Sequence, residues 1–306
     1  MFLIDFAGTD RQAFTFEEAA EQGIYFQVRG TGNEPASWAG QPGQGPVELH
    51  PQPVSKSVYR RAFETVQREL KGGNSFLLNL TFASGLHTDH SLPELYQMAR
   101  APYKLLFRDD FVVFSPECYL RIADGMVHTY PMKGTIRNDH PDAARQLLDN
   151  PKEQYEHNTI VDLLRNDLSM IARQVEVVRF RYVEKIRKGG EEWLQTSSEI
   201  RGRLPDGWED SFAELFLKTL PAGSISGAPK EKTVEIIRAV ETSDRGFYTG
   251  VFGVFDGHTI DSGVLIRYIE KRSGRLYFRS GGGITHLSVM EEEYQELIDK
   301  IYVPSF

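Results

Sequence analysis

The amino-acid sequence predicts an α+β fold built on antiparallel sheets. Three observations carry that expectation. Residues 103–130 break into short β runs with turn pairs at Asp109-Asp110 and Asp124-Gly125. Two further hairpins turn at Asp256-Gly257 and near Ser273-Gly274. Capped helices interrupt these runs instead of alternating with single strands, as a parallel βαβ array would require.

The elements follow in order. Residues 30–53 are rich in Gly, Pro and Gln and lack apolar periodicity, so they read as one long loop. A helix over 55–71 comes next: Tyr59, Phe63, Val66 and Leu70 recur at helical spacing, and Gly72-Gly73 ends it. FLLNLTF (76–82) reads as a buried strand, and Ser91 with Glu94 forms a capping box for a short helix. After the meander, Asn150, Pro151 and Glu153 open a helix that runs to about Asp167. Another helix follows Pro229, with Val234, Ile237 and Val240 on one side, and a last one covers 289–302. The whole chain, 1–306, is expected to form a single domain.

With 40% hydrophobic and 25% charged residues, a chain of 306 residues is globular and long enough to bury a core without staples. Its one cysteine, Cys118, excludes an intrachain disulfide and a Cys-rich zinc site, and suits a reducing, cytoplasmic setting. The net charge of −8 argues against a nucleic-acid partner. The opening MFLIDFAGTD places Asp5 in its short apolar stretch and has no basic lead, so no signal peptide is expected. No apolar run is long enough to span a membrane.

The chemistry-bearing signals are local. In KEQYEH (152–157), Glu153 and Glu156 share a helix face; in EEEYQELIDK (291–300), Glu293 and Glu296 do the same, with Lys300 one turn on. Two carboxylate pairs from two helices suit a hard cation such as Mg²⁺. The same spacing also occurs on solvated helix faces. PAGSISGAPKEKT (221–233) leads into a helix and is either an anion site or a connecting turn. It lacks the GxxxxGK[ST] spacing, so nucleotide binding is not expected. Arg267 stands inside the apolar run VLIRYIE (264–270), where it faces either a ligand carboxylate or a structural acid. The loop SGGGIT (280–285) follows the next strand, and its glycines let backbone amides approach a ligand.

Taken together, SPE (115–117), PMKGT (131–135), KEQYEH with IVDLLRNDL (160–168), PAGSISGAPK, RGFYTGVFG (245–253), IRY (266–268), GGGIT (281–285) and EEYQELIDK (292–300) resemble the chorismate-utilising enzymes. That family holds the anthranilate synthase large subunit, aminodeoxychorismate synthase component I, and the isochorismate and salicylate synthases. The eight pieces stand in family order over residues 75–306, with 1–74 as a shortened N-terminal part. The resemblance implies one large α+β domain, like that of anthranilate synthase component I: two packed antiparallel sheets with helices outside. It implies Mg²⁺ held directly by Glu156 and Glu296, with Glu153 and Glu293 acting through water, and chorismate bound by its ring carboxylate to the metal. Arg267 and Tyr248 would take the enolpyruvyl carboxylate, aided by the amides of Gly282 and Gly283. Gly134 and Thr135 would touch the substrate, Glu117 would be the acid beside the departing 4-hydroxyl, and Lys300 would line the metal end.

Within the resemblance, the middle of PMKGT selects the branch. Anthranilate synthases resemble PIAGT there and aminodeoxychorismate synthases PIKGT, so Lys133 implies amination of chorismate at C4. In that scheme neutral Lys133 attacks C2 as the 4-hydroxyl leaves with a proton from Glu117; ammonia then attacks C4 and expels the lysine. The alternative role for Lys133 is an electrostatic clamp on the substrate. Where many family members have histidine in a segment like HLVS, this chain has QTSS (195–198), and Gln195 cannot act as acid or base. That disfavours anthranilate formation, which needs a proton removed from C2. Cys118 lacks the Gly-rich elbow of a glutamine amidotransferase nucleophile, so ammonia is expected from a separate amidotransferase subunit. A separate lyase would carry the product to 4-aminobenzoate for folate. Anthranilate or isochorismate synthase remains the alternative within the family, and a non-catalytic chorismate-binding scaffold the alternative of another class. No match to a tryptophan-binding segment is apparent.

Overall fold

The computed structural model describes residues 1–38, 47–188, 191–227 and 229–304. Two antiparallel sheets carry the chain. The first runs Met132–Arg137, Glu191–Arg203, Met126–Thr129, Cys118–Ala123, Ile260–Val264, Val251–Phe255, Phe2–Ile4, Arg11–Ala13, with Arg173–Lys188 paired to Glu191–Arg203. The second runs Thr31–Gly32, Ile24–Val28, Tyr103–Phe107, Phe111–Ser115, Tyr268–Arg272, Arg275–Ile284, Leu78–His87, His50–Gln52.

The sheets pack face to face. In the strand Phe2–Ile4, Leu3 joins Phe26, Leu105, Val113 and Phe252 in the core between the sheets. Phe2 and Ile4 point the other way, onto the helices, as the two-residue period of a strand demands. Those helices are Lys56–Lys71, Pro151–Ser169, Phe212–Thr219, Lys230–Val240 and Met290–Asp299. The far face of the second sheet is covered by Leu92–Met98 and by Ile301 and Val303. Helices therefore lie outside a pair of antiparallel sheets, as the resemblance implies. No helix among the described residues is long and apolar enough to cross a membrane.

Local chemistry explains the helix boundaries. Ser55 caps Lys56–Lys71, and Tyr59, Phe63, Val66 and Leu70 are buried, each worth roughly 1.5–3 kcal/mol. Asn150 Oδ1 accepts from the amides of Lys152 (3.0 Å) and Glu153 (3.2 Å), fixing the start of Pro151–Ser169. Three glutamates in the first turn of Met290–Asp299 suit the positive end of that helix, which has no side-chain cap.

Four expectations change. The loop at 30–53 contains the strands Thr31–Gly32 and His50–Gln52 and a short 3₁₀ turn, Ala36–Trp38; its residues 39–46 lie outside the described residues. The strand expected at 76–82 begins at Leu78, and Phe76 is exposed. The glycines of SGGGIT form strand, not loop: Gly281, Gly282 and Gly283 pair with Thr81, Leu80 and Asn79. Arg267 is not within a strand. It stands between Ile260–Val264 of the first sheet and Tyr268–Arg272 of the second, with φ at +54°.

Candidate active site

Two chain crossings set the frame. The chain passes from the second sheet to the first through Pro116-Glu117, and back through Leu265–Arg267. Each crossing is bonded to a strand end that flanks the other: Val264 N donates to Glu117 O and Phe114 N donates to Arg267 O, each at 3.1 Å. An acid and a cation are thereby mounted on adjoining backbone corners. Arg267 Nε is buried and has no hydrogen-bond partner among the described residues, and its guanidinium lies 5.0 Å from the centre of the Tyr302 ring.

Lys133 arrives from Met132–Arg137. The strand bulges between Lys133 and Thr135, where Gly134 takes φ +77°, and Thr196 Oγ1 donates to Lys133 O. A methyl at Gly134 would stand 2.8 Å from Glu153 Oε2, and one at Gly283 would stand 3.4 Å from Lys133 Nζ. The absence of side chains at these positions lets the carboxylates, the lysine and the glycine strand close on one another. Lys133 Nζ lies 3.7 Å from Glu156 Oε2. A methyl at Gly282 would lie 3.3 Å from an oxygen of both Glu293 and Glu296, so both carboxylates of the helix Met290–Asp299 reach that strand. Lys300 Nζ bonds Glu296 Oε1 (2.5 Å) and donates to Gly281 O (2.9 Å). Beyond Arg279 the glycine strand has lost its neighbour Tyr268–Arg272, so every second amide of 280–284 has no strand partner on that side.

The charges act on one another. Burial raises the Glu117 carboxyl above its ordinary value, against the opposing pull of Lys133, Lys300, Ser224 and Arg267. Burial and the charge of Glu156 raise Glu153; burial and the charge of Glu296 raise Glu293. Burial acts to raise Glu296 too, but Lys300, Lys133 and Lys152 outweigh it and hold that carboxyl below its ordinary value. Burial lowers Lys300, helped by Arg267 and Lys133. Glu296 also acts to raise Glu153, and Glu156 to raise Glu293, so each pair feels the charge of the other. All four donors are hard oxygens and fit Mg²⁺. Among the described residues no three acidic, His or Cys side chains are drawn in to metal-binding distance; lysines stand between them.

Two expected residues are less central. Tyr248 is 3% exposed, packs on Tyr268, and burial pushes its hydroxyl up to about 12. Arg267 reaches it only as a charge. Thr135 is exposed, opposite Gln195. The turn PAGSISGAPK, whose Ala228 lies outside the described residues, is not an open anion site: Gly223 N and Lys230 Nζ both bind Asp167, at 2.7 Å. Its other service is Ser224, whose Oγ donates to Glu117 Oε1 at 3.5 Å.

Sequence reading missed Lys152, Ser224 and His157. Lys152 Nζ bridges the helices, 3.6 Å from Glu293 and 3.4 Å from Glu292; its signal was its place next to Glu153. His157 is fully buried with Nε2 2.7 Å from Ser198 Oγ, and burial pushes it down to about 4.

The profile of the family described as chorismate binding enzyme matches residues 11–305. The chain belongs to the chorismate-binding enzyme family. A PabA-like protein of Pasteurella multocida, described as uncharacterised, is 53% identical over 99% of this chain and 93% of its own length. Aminodeoxychorismate synthase component 1 of Bacillus subtilis is 31% identical over 82% of this chain, but over only 55% of its own length. The crystal structure of anthranilate synthase component I from Streptococcus pneumoniae superposes with a TM-score of 0.71 at 27% identity, covering 86% of this chain and 60% of that one. The chain thus spans nearly the whole of one relative and little more than half of the synthase components. Chorismate is the substrate of this family.

Proposed function

We propose that this chain is an aminodeoxychorismate synthase component, replacing the 4-hydroxyl of chorismate by an amino group supplied as ammonia. The observation that carries the reading is Lys133: an amine between Glu156 and the side-chain-free strand at Gly283, and the first of the charges felt by Glu117. Glu117, kept protonated to higher pH by its burial, donates a proton to the departing 4-hydroxyl, which leaves as water. Lys133 Nζ forms a bond to C2 and returns a proton to the Glu117 carboxylate, which later passes it to the departing lysine and takes one from the new ammonium at C4. Ammonia then forms the bond to C4, the C2–N bond breaks, and Lys133 is restored. The enolpyruvyl group stays attached, so no pyruvate is formed. Arg267 and the strand at Gly282 and Gly283, one of whose two amides points away from the paired strand, hold its carboxylate. Glu156 and Glu296, with Glu153 and Glu293 beside them, would hold Mg²⁺, which supplies positive charge to the ring carboxylate when bound.

Two residues support amination over its rivals. Gln195, paired with Thr135 on the neighbouring strand, cannot remove the C2 proton that anthranilate formation requires. Burial, together with Asp261, pushes the Cys118 thiol up to about 12, despite the hydrogen bond to Tyr103, so it is a poor nucleophile for glutamine. Ammonia then comes from a separate glutamine amidotransferase, and the product serves 4-aminobenzoate and folate synthesis. The test is the product from chorismate, Mg²⁺ and ammonium, identified by mass. Aminodeoxychorismate without pyruvate supports the proposal. Anthranilate with pyruvate, isochorismate, or binding without turnover each overturns it.

A further inference from the structure

The turn between Phe212–Thr219 and Lys230–Val240 is tied at both ends to one buried carboxylate. Asp167, 3% exposed, accepts from Gly223 N through Oδ2 and from Lys230 Nζ through Oδ1, both at 2.7 Å. Lys230 Nζ also donates to Thr219 O at 2.7 Å, closing the turn on itself. The fit at Gly223 leaves no slack, since a methyl there would stand 2.8 Å from Asp167 Oδ2. The next residue, Ser224, donates to Glu117 at 3.5 Å. That is beyond the usual range of about 2.5–3.0 Å for a hydroxyl–carboxyl bond, so a few tenths of an ångström in the turn decide whether the bond is made. A buried ion pair adds little net stability, whereas this one fixes where the turn sits.

We infer that Asp167 is a positioning residue for the catalytic acid: by clamping Gly223 and Lys230 it holds Ser224 Oγ against Glu117 and orients the carboxyl that protonates the leaving hydroxyl. Asp167 lies on the helix that also bears Glu153 and Glu156. One helix therefore carries two of the acidic side chains and, further along, the anchor for the acid. The inference rests on the reading of Glu117 as that acid.

The experiment is a double-mutant cycle of Asp167→Asn and Ser224→Ala, assayed with chorismate, Mg²⁺ and ammonium across pH. Each single variant is expected to lose about tenfold in kcat, the scale of one lost hydrogen bond to a charged group, with KM for chorismate within about twofold. The double variant loses no more than the worse single one, because both act on one contact. The charged groups facing Glu117 are Lys133, Lys300 and Arg267, and all remain in these variants. Removing the Ser224 hydroxyl removes a group that favours the charged carboxyl, so the alkaline limb of kcat moves to higher pH in both single variants. Multiplicative losses, or an alkaline limb that moves in Ser224→Ala but not in Asp167→Asn, overturn the inference. If Asp167→Asn does not fold, Lys230→Gln opens the same clamp, and its limb is read in its place. Wild-type turnover in Glu117→Gln would instead overturn the acid assignment itself, whatever the cycle gives.

Discussion

Replacing Gly134 by alanine separates two costs that meet at one Cα. The first is backbone strain. With φ at +77°, an L-residue pays about 1–2 kcal/mol, which for a chain of this size is about 2–3 °C in Tm. The second is contact. The added methyl would stand 2.8 Å from Glu153 Oε2 and 3.1 Å from Leu147 Cδ1. Leu147 is 3% exposed and packed with Ala143 and Leu194, so the carboxylate end of Glu153 is the part that moves. Gly274→Ala is the control, with φ at +75° and nothing within 4 Å of the added methyl. Both variants should lose similar stability in a thermal melt. Only Gly134→Ala should need more Mg²⁺ for half-maximal turnover of chorismate, by roughly three- to tenfold, or about 0.7–1.4 kcal/mol. Equal Mg²⁺ requirements in the two variants would refute the place given to Glu153 beside the metal. A Gly134→Ala protein as stable as the parent would refute the strain argument.

Other outcomes follow from the same geometry. Lys133→Ala should cut amination by about 10²–10⁴-fold, the range for a directly acting group, while leaving the fold intact by circular dichroism; unchanged turnover would remove Lys133 from the chemistry. In Lys300→Met one of the cations that lowers Glu117 is gone. The acid keeps its proton to higher pH, so the alkaline limb of kcat shifts upward; a downward shift in the pH–rate profile would contradict the proton-donor role. Arg279 is 1% exposed and binds Glu270 Oε1 at 2.7 Å. Arg279→Met should strand that carboxylate and cost about 3–5 kcal/mol, seen as a fall of about 5–8 °C in Tm. A fall below about 2 °C would mean that Arg272, 3.1 Å away, compensates.

What was legible in the sequence was what is decided locally. Asn150 and Ser55 cap the helices they announce, and Asp256-Gly257 turns the hairpin it predicts. Glu153/Glu156 and Glu293/Glu296 share helix faces because three residues make most of a turn. What was illegible is decided by neighbours distant in sequence. Three glycines in a row signal a turn, yet Gly281–Gly283 are strand, because carboxylates and a lysine crowd that strand from other elements. The long hairpin of Arg173–Lys188 and Glu191–Arg203 escaped notice because its first strand is charged, bulged and half exposed, with Phe180 53% open. Arg267 belongs to a crossing, which no periodicity marks. Ser224 and Asp167 are linked only through Gly223, across a sequence distance that spacing arguments do not cover.

The paired crossings at Glu117 and Arg267 have a practical corollary for redesign. Their separation is set by main-chain bonds that no side-chain substitution removes, whereas Lys133 sits on a border strand, joined to its sheet along one side only. The invariant and the adjustable parts of the reaction centre are thus physically separate. An engineer wishing to change which nucleophile meets the ring would alter the border strand residue by residue and expect the acid and the arginine to stay where they are.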